Sequence, residues 1–252
     1  MLNPPLSPFV KGGSDNEESF SPSFVKGGSG WISLIIYDLD GTLIDSAPDI
    51  AEAVNRMRRD LGHAEKPLDV IKQWVGNGSA MLVKRSLGET LVMEPEDVPL
   101  ESFQPAHELF FKHYRETNGQ HTTVFPGVRE TLEQFHERNI KQAVCTNKPA
   151  EFTEALLKQL ALDRFFDCIA SGDTLPVKKP DPAPLLWCAK QCRVSLEECL
   201  MVGDSMTDIK AAKAAGLRVA CVRYGYHRGN NLATADSLID SLAELPALLA
   251  TR

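Results

Sequence analysis

Leu34-Ile35-Ile36-Tyr37-Asp38-Leu39-Asp40-Gly41-Thr42-Leu43 is the stretch that decides the fold. With Ile32 it opens on a short apolar run rich in β-branched residues, the pattern of a strand buried on both faces in a parallel sheet. The run stops at Asp38. Asp40 stands two positions further on, so two carboxylates lie in the loop past the strand and can converge on one cation. Gly41 lets the backbone approach a ligand closely or adopt positive φ. A plain Asp-rich turn has the same composition, so the stretch has to be weighed with the rest of the chain.

Further apolar runs occupy residues 140–145, 199–202 and 219–222, with helical patterns at 151–160 and 209–215. Strand alternating with helix predicts an α/β fold, a doubly wound parallel sheet. One stretch breaks the alternation. Ile50, Val54, Met57 and Leu61 follow one helical face, and Phe103, His107, Phe110, Phe111 and Tyr114 follow another. The chain therefore divides into an α/β core, 31–45 and 121–252, and an inserted all-helical domain, 46–120. The insertion follows the carboxyl end of a strand, which is where open α/β sheets bind ligands.

Residues 1–30 have a different texture. They hold 15 Gly, Pro or Ser, and Phe9-Val10-Lys11-Gly12-Gly13-Ser14 returns as Phe24-Val25-Lys26-Gly27-Gly28-Ser29. Two Gly-rich copies do not make a solenoid, and there is no continuous apolar stretch for a signal peptide. This segment is expected to be a disordered tail outside the fold.

The remaining 222 positions carry most of the apolar residues behind the overall 43%, and charged residues are 24%. No apolar run approaches the roughly 18 residues of a membrane span. The net charge of −7 argues against nucleic-acid binding, which needs a basic stripe, but not against a small anionic substrate met by a local cation. The six cysteines form no C-x-x-C pair. Cys188 and Cys192, four apart, are expected to be buried reduced thiols and not metal ligands, which points to a reducing, cytoplasmic setting. The six histidines are scattered and take no metal role.

Three more strand ends carry chemistry. Gly203-Asp204-Ser205-Met206-Thr207-Asp208 puts Asp204 where Asp38 sits in its own strand, with Ser205 and Asp208 at capping-box spacing. Three carboxylates meeting in this way make a hard-oxygen site suited to Mg²⁺. Thr146-Asn147-Lys148-Pro149 offers a hydroxyl and backbone N–H groups for phosphate oxygens. Lys178-Lys179-Pro180-Asp181-Pro182 brings a lysine to clamp a phosphoryl group, with Asp181 expected as N-cap and Pro182 at the first helical position.

The set Asp38/Asp40, Thr146, Lys179 and Asp204/Asp208, in this order, resembles the four motifs of the haloacid dehalogenase-like phosphatase superfamily. The helical insertion resembles the cap of members that carry it early. Trp74-Val75-Gly76-Asn77-Gly78, Val177-Lys178-Lys179-Pro180-Asp181-Pro182 and Tyr224-Gly225-Tyr226 are closer still to its phosphoglycolate phosphatase branch. The resemblance covers about residues 31–250.

It implies a Mg²⁺-dependent phosphomonoesterase that hydrolyses 2-phosphoglycolate through an aspartyl-phosphate. Asp38 would be the nucleophile and Asp40 the general acid and base. Asp38, the Asp40 carbonyl and Asp204 would hold the metal. Thr146 and Lys179 would stabilise the transferring phosphoryl group, Asn147 would join them in binding substrate, and Asp208 would orient Lys179 or a metal-bound water. Gly76, Asn77 and Gly78 form a turn able to close over the site. Arg85 is the candidate for the substrate's carboxylate, whereas Trp74 reads as packing. Asp40 argues against a dehalogenase, since a departing halide needs no proton. Other small sugar or acid phosphatases, a sugar phosphomutase, and a low-turnover phosphate-binding regulator are the alternatives. The expected partner is a small phosphorylated metabolite, and the expected state a monomer or homodimer.

Overall fold

The computed structural model describes residues 31–90, 97–226 and 232–250; the repeat-bearing segment 1–30 lies outside them. The chain begins with β1 (Leu34–Tyr37), β2 (Ile44–Asp45), α1 (Ala47–Asp60), α2 (Leu68–Lys72), α3 (Ser79–Gly88), α4 (Leu100–Thr117) and β3 (Thr123–Val124). It then alternates: α5 (Val128–Glu137), β4 (Lys141–Cys145), α6 (Ala150–Gln159), β5 (Cys168–Ala170), α7 (Ala183–Cys192), β6 (Cys199–Gly203), α8 (Met206–Ala215), β7 (Arg218–Val222), β8 (Ser237–Ile239) and α9 (Leu245–Ala250).

Six strands form one sheet in the order β5-β4-β1-β6-β7-β8, and every pairing is parallel. β1 is central and wholly buried, as its unbroken apolar run requires. Its side chains alternate between two cores. Ile35 and Tyr37 pack with Leu132, Phe135, Leu156 and Leu157 on one face, while Leu34 and Ile36 pack with Leu185, Cys188, Ile209 and Ala212 on the other. The strand order reverses between β1 and β6. Tyr37 is level with Val144 on one side and Val202 on the other. Asp38, Thr146 and Asp204, each the first residue past its strand, therefore emerge side by side at the switch point, where such sheets bind ligands.

Between β2 and β3 the described residues contain helices and no strand. Ile50, Val54 and Met57 of α1 join Phe110 and Tyr114 of α4, with Ile71 and Trp74, in a third apolar core. The two chain crossings that lead into and out of this block are tied together by a ribbon absent from the sequence reading: β2 pairs antiparallel with β3. Two-residue strands are too short to show any alternation. A second tie is stronger. Asp49, fully buried, accepts hydrogen bonds from the backbone N–H groups of Gly119, His121 and Thr122 at 2.8, 2.7 and 3.0 Å, and from the Thr122 hydroxyl at 2.5 Å.

Two local expectations change. α7 starts one residue later than the motif suggested: Pro182 is its N-cap, and Asp181 reaches over it to accept from the Ala183 N–H at 2.8 Å. The short edge strands β5 and β8, three residues each, were also missed because they lack the length for a periodic signal. Cys188 and Cys192 are buried free thiols, as anticipated.

Candidate active site

The carboxyl end of the sheet brings the motif residues together. Lys179, buried in the loop before α7, sets its ammonium 2.9 Å from Asp38 Oδ1 and 2.6 Å from Asp208 Oδ1. Asp208 Oδ2 accepts from both the N–H and the hydroxyl of Ser205, at 3.1 and 2.6 Å. The capping box at the start of α8 thus does two things: it satisfies donors of the helix's first turn and holds the carboxylate that aims Lys179.

Asp204 is fixed from three sides. The Tyr226 N–H donates to its Oδ2 at 2.5 Å, the Thr42 hydroxyl stands 3.5 Å from Oδ1, and the backbone of Gly41 and Gly225 lies against it. A side chain at Gly41, whose φ is +87°, would strike the carboxylate, so glycine is required there for close approach. The Tyr226 hydroxyl also donates to Asp45 at 2.5 Å and accepts from the Ala47 N–H at 3.0 Å. One tyrosine therefore joins the acidic site to the chain crossing that enters the helical block.

The oxygens of Asp38, Asp204 and Asp208 lie within 4.8 Å of one another, all buried. Burial pushes the Asp38 carboxyl up to about 7 despite the opposing pull of Lys179. Burial, with Asp208 and Asp38 close by, drives Asp204 well above the usual carboxylate range. Lys179 is affected oppositely: burial alone would lower it, but Asp208 and Asp38 outweigh that and hold the ammonium above its ordinary value. With Asp40, four carboxylates face the two ammonium groups of Lys179 and Lys148. Hard oxygen donors of this kind fit a divalent cation such as Mg²⁺, which would hold Asp38 and Asp204 deprotonated. Lys179 and Ser205 engage the two oxygens of Asp208, and the Thr42 hydroxyl and the Tyr226 N–H engage those of Asp204. Asp40 is not one of the three carboxylates that cluster there.

Asp40 faces the other half of the site. It accepts from the Ser46 hydroxyl at 2.5 Å and from Lys148 at 2.8 and 3.0 Å. Lys148 carries no role in the sequence reading, since nothing in its local sequence signals that the fold buries it against Asp40. Thr146 is buried at the end of β4, its N–H used by the Ala170 carbonyl and its Oγ1 accepting from the Lys148 N–H. The Asn147 amide donates to the Lys179 carbonyl at 2.9 Å and the Gly76 carbonyl at 3.3 Å. It thereby links the two core motifs to the turn of the helical block.

That turn leans over the site. Gly76 and Gly78 have φ of +115° and +85°, and Asn77 donates to the Thr207 hydroxyl at 3.2 Å. A cavity between turn and strand ends is lined by Asp38, Asp40, Thr146, Lys148, Gly76 and Tyr114, among others. Arg85 does not line it. Its guanidinium donates to the Trp74 carbonyl at 2.9 Å and to Asn77 Oδ1 at 3.1 Å, so the expectation that it meets a substrate carboxylate gives way to a role bracing the turn. Only the helical register, invisible without the packing, decides which way Arg85 points. Trp74 is packing, as anticipated.

A doubly wound sheet with an acidic, lysine-bearing pocket at its switch point, covered by helices, defines a hydrolase built for phosphoryl groups. The chain belongs to the haloacid dehalogenase-like hydrolase family, which residues 35–222 match. It is 42% identical over 214 residues to a phosphoglycolate phosphatase of Pseudomonas fluorescens, covering 84% of this chain and 78% of that one. It is likewise 42% identical over 220 residues to one of Nitrosospira multiformis, with 86% and 96% covered. The crystal structure of a predicted phosphoglycolate phosphatase from Haemophilus somnus superposes with a TM-score of 0.80 at 30% identity, over 88% of this chain and 99% of that one. Among the described residues no helix is long and apolar enough to cross a membrane.

Proposed function

We propose that this chain is a phosphomonoesterase that hydrolyses 2-phosphoglycolate to glycolate and phosphate, with residues 46–120 acting as a cap. The observation that carries the reading is Asp38 beside Asp40 in a buried pocket, the first oxygen set against Lys179 and the second aimed into the cavity. Asp38 attacks phosphorus in line, forming an aspartyl-phosphate as the ester oxygen departs. Asp40 gives that oxygen a proton, then takes one from the water that hydrolyses the intermediate. Lys179 and the Thr146 hydroxyl meet the equatorial oxygens of the phosphoryl group. Asp38, Asp204 and the Asp40 carbonyl would hold Mg²⁺, which supplies charge neutralisation as two anions approach. Asp208 positions Lys179.

The cap turn, braced by Arg85 and tied to the core through Asn77 and Asn147, excludes water from the reacting groups. The cavity beneath it has Asp38, Asp40 and Lys148 among its lining together with Phe110, Phe111 and Phe152. The names borne by the relatives support the same substrate.

Phosphate release measured across a panel of small esters, with Mg²⁺ and with chelator, tests the proposal. The expected result is a strong preference for 2-phosphoglycolate, lost on chelation. Activity concentrated on another ester would discard the substrate, and no release from any ester would discard the phosphatase.

A further inference from the structure

The cavity under the cap is acidic on its floor and aromatic on its wall. Tyr114 stacks against Phe110 with centroids 5.3 Å apart, and meets Phe152 at 4.6 Å. Among the described lining residues Lys148 is the one with a cationic side chain. Its ammonium is buried, stands 5.1 Å from the Tyr114 ring centroid, and is paired with Asp40. An ammonium has three donors, and the two Asp40 oxygens take two of them. The Tyr114 hydroxyl is buried with no hydrogen-bond partner among the described residues. Burial, with Asp40 and Asp49 nearby, pushes its phenol up, so it stays protonated. Lys148, with a donor to spare, and Tyr114, whose buried hydroxyl is unpartnered, thus line one cavity beside the nucleophile. A buried donor without an acceptor is costly to the fold unless a ligand satisfies it.

We infer that Lys148 and the Tyr114 hydroxyl bind the carboxylate of the substrate and make the enzyme selective for phosphate esters that carry one. The inference rests on the phosphatase reading above and assigns its specificity to two residues not among those carried over by resemblance. An aliphatic ammonium against an aromatic wall strengthens an ion pair by excluding water. A site built to hydrogen-bond a group discriminates strongly against an analogue lacking it, because its own polar groups are then left unpaired. The hydroxyl of Tyr114 is the sensitive probe, since Phe keeps the ring stack and removes only the donor.

The test compares kcat/KM for 2-phosphoglycolate and for ethyl phosphate, which has the same two carbons and no carboxylate, in the Mg²⁺-loaded protein. In wild type the ratio should favour the carboxylated ester by about 100-fold or more. Lys148→Met should reduce that ratio by about 10-fold or more, and Tyr114→Phe by about 3- to 10-fold. Inhibition by glycolate supplies a second readout, and its inhibition constant should rise in both variants. If Lys148→Met fails to fold, Tyr114→Phe with glycolate inhibition decides. A selective wild type whose ratio and glycolate inhibition survive both substitutions overturns this inference while leaving the phosphatase intact. A wild type that releases no phosphate from any ester overturns the phosphatase reading itself.

Discussion

Lys179 stands 2.9 Å from the Asp38 oxygen and is buried with it, so the residue placed to bind the phosphoryl group also steadies the carboxylate placed to attack it. A second contact, 2.6 Å to Asp208, anchors the ammonium from behind. The pair keeps its geometry because Asp208 is in turn locked by Ser205 at the start of α8. Orientation and charge are thus supplied by the end of β1, the loop before α7 and the first turn of α8 before any ligand arrives, which is what electrostatic preorganisation requires.

Replacing Lys179 by Met should lower kcat by roughly 10²–10³-fold through loss of transition-state charge stabilisation. It also leaves Asp38 and Asp208 without their shared counter-charge, which should cost about 3 kcal/mol in chelator. Phosphate-release kinetics and urea unfolding measure the two effects separately. A variant with near-wild-type kcat would remove Lys179 from the transition state.

Asp38→Asn should reduce turnover by roughly 10³-fold or more while the protein stays folded. Its effect on stability is pH-dependent, with a sign fixed by the raised carboxyl. Between the ordinary carboxyl value of 3.8 and about 7 the folded protein binds more protons at Asp38 than the unfolded chain. Its contribution to stability is therefore complete below the first value and lost as pH rises through the second. In chelator, the melting temperature of wild type should fall more steeply from pH 5 to pH 8 than that of Asp38→Asn. Mg²⁺ should reverse the trend, stabilising wild type more at pH 8 because metal binding needs deprotonated ligands. Parallel profiles for the two proteins would contradict the assignment.

Arg85→Ala releases the Trp74 carbonyl and the Asn77 side chain, and with them the turn over the site. It should lower kcat/KM by about 3- to 10-fold, by the same factor for 2-phosphoglycolate and ethyl phosphate. A loss confined to the carboxylated ester would return the guanidinium to the substrate.

Asp49→Ala removes the acceptor of four hydrogen bonds, three from backbone N–H groups of the segment that leaves the cap. Thr122 is buried and would be left without its acceptor, while Gly119 and His121 are open enough to meet water, so stability should fall by about 1–3 kcal/mol in chemical denaturation. Proteolysis should then cut first near residues 117–122. A change under about 0.5 kcal/mol would show that the β2–β3 ribbon alone suffices as the hinge.

Local pattern alone was enough for much of this. The continuous apolar runs at β1, β4, β6 and β7 could belong only to a sheet covered on both faces, and the carboxylates just past β1 and β6 marked the pocket. The helical face of Ile50, Val54 and Met57 marked the helical block between β2 and β3, because burial on one side imposes a period that any window of the chain displays. The rest depended on contacts between residues far apart in sequence. Whether Arg85 meets a substrate or braces Trp74 and Asn77, and whether Lys148 is solvated or buried against Asp40, turns on how the cap helices rotate and seat. Tyr226 meets Asp45 across 181 positions, and β2 finds β3 across the whole insertion. Such pairings leave no periodicity behind, since their partners are chosen by packing and charge in three dimensions and not by neighbours along the chain.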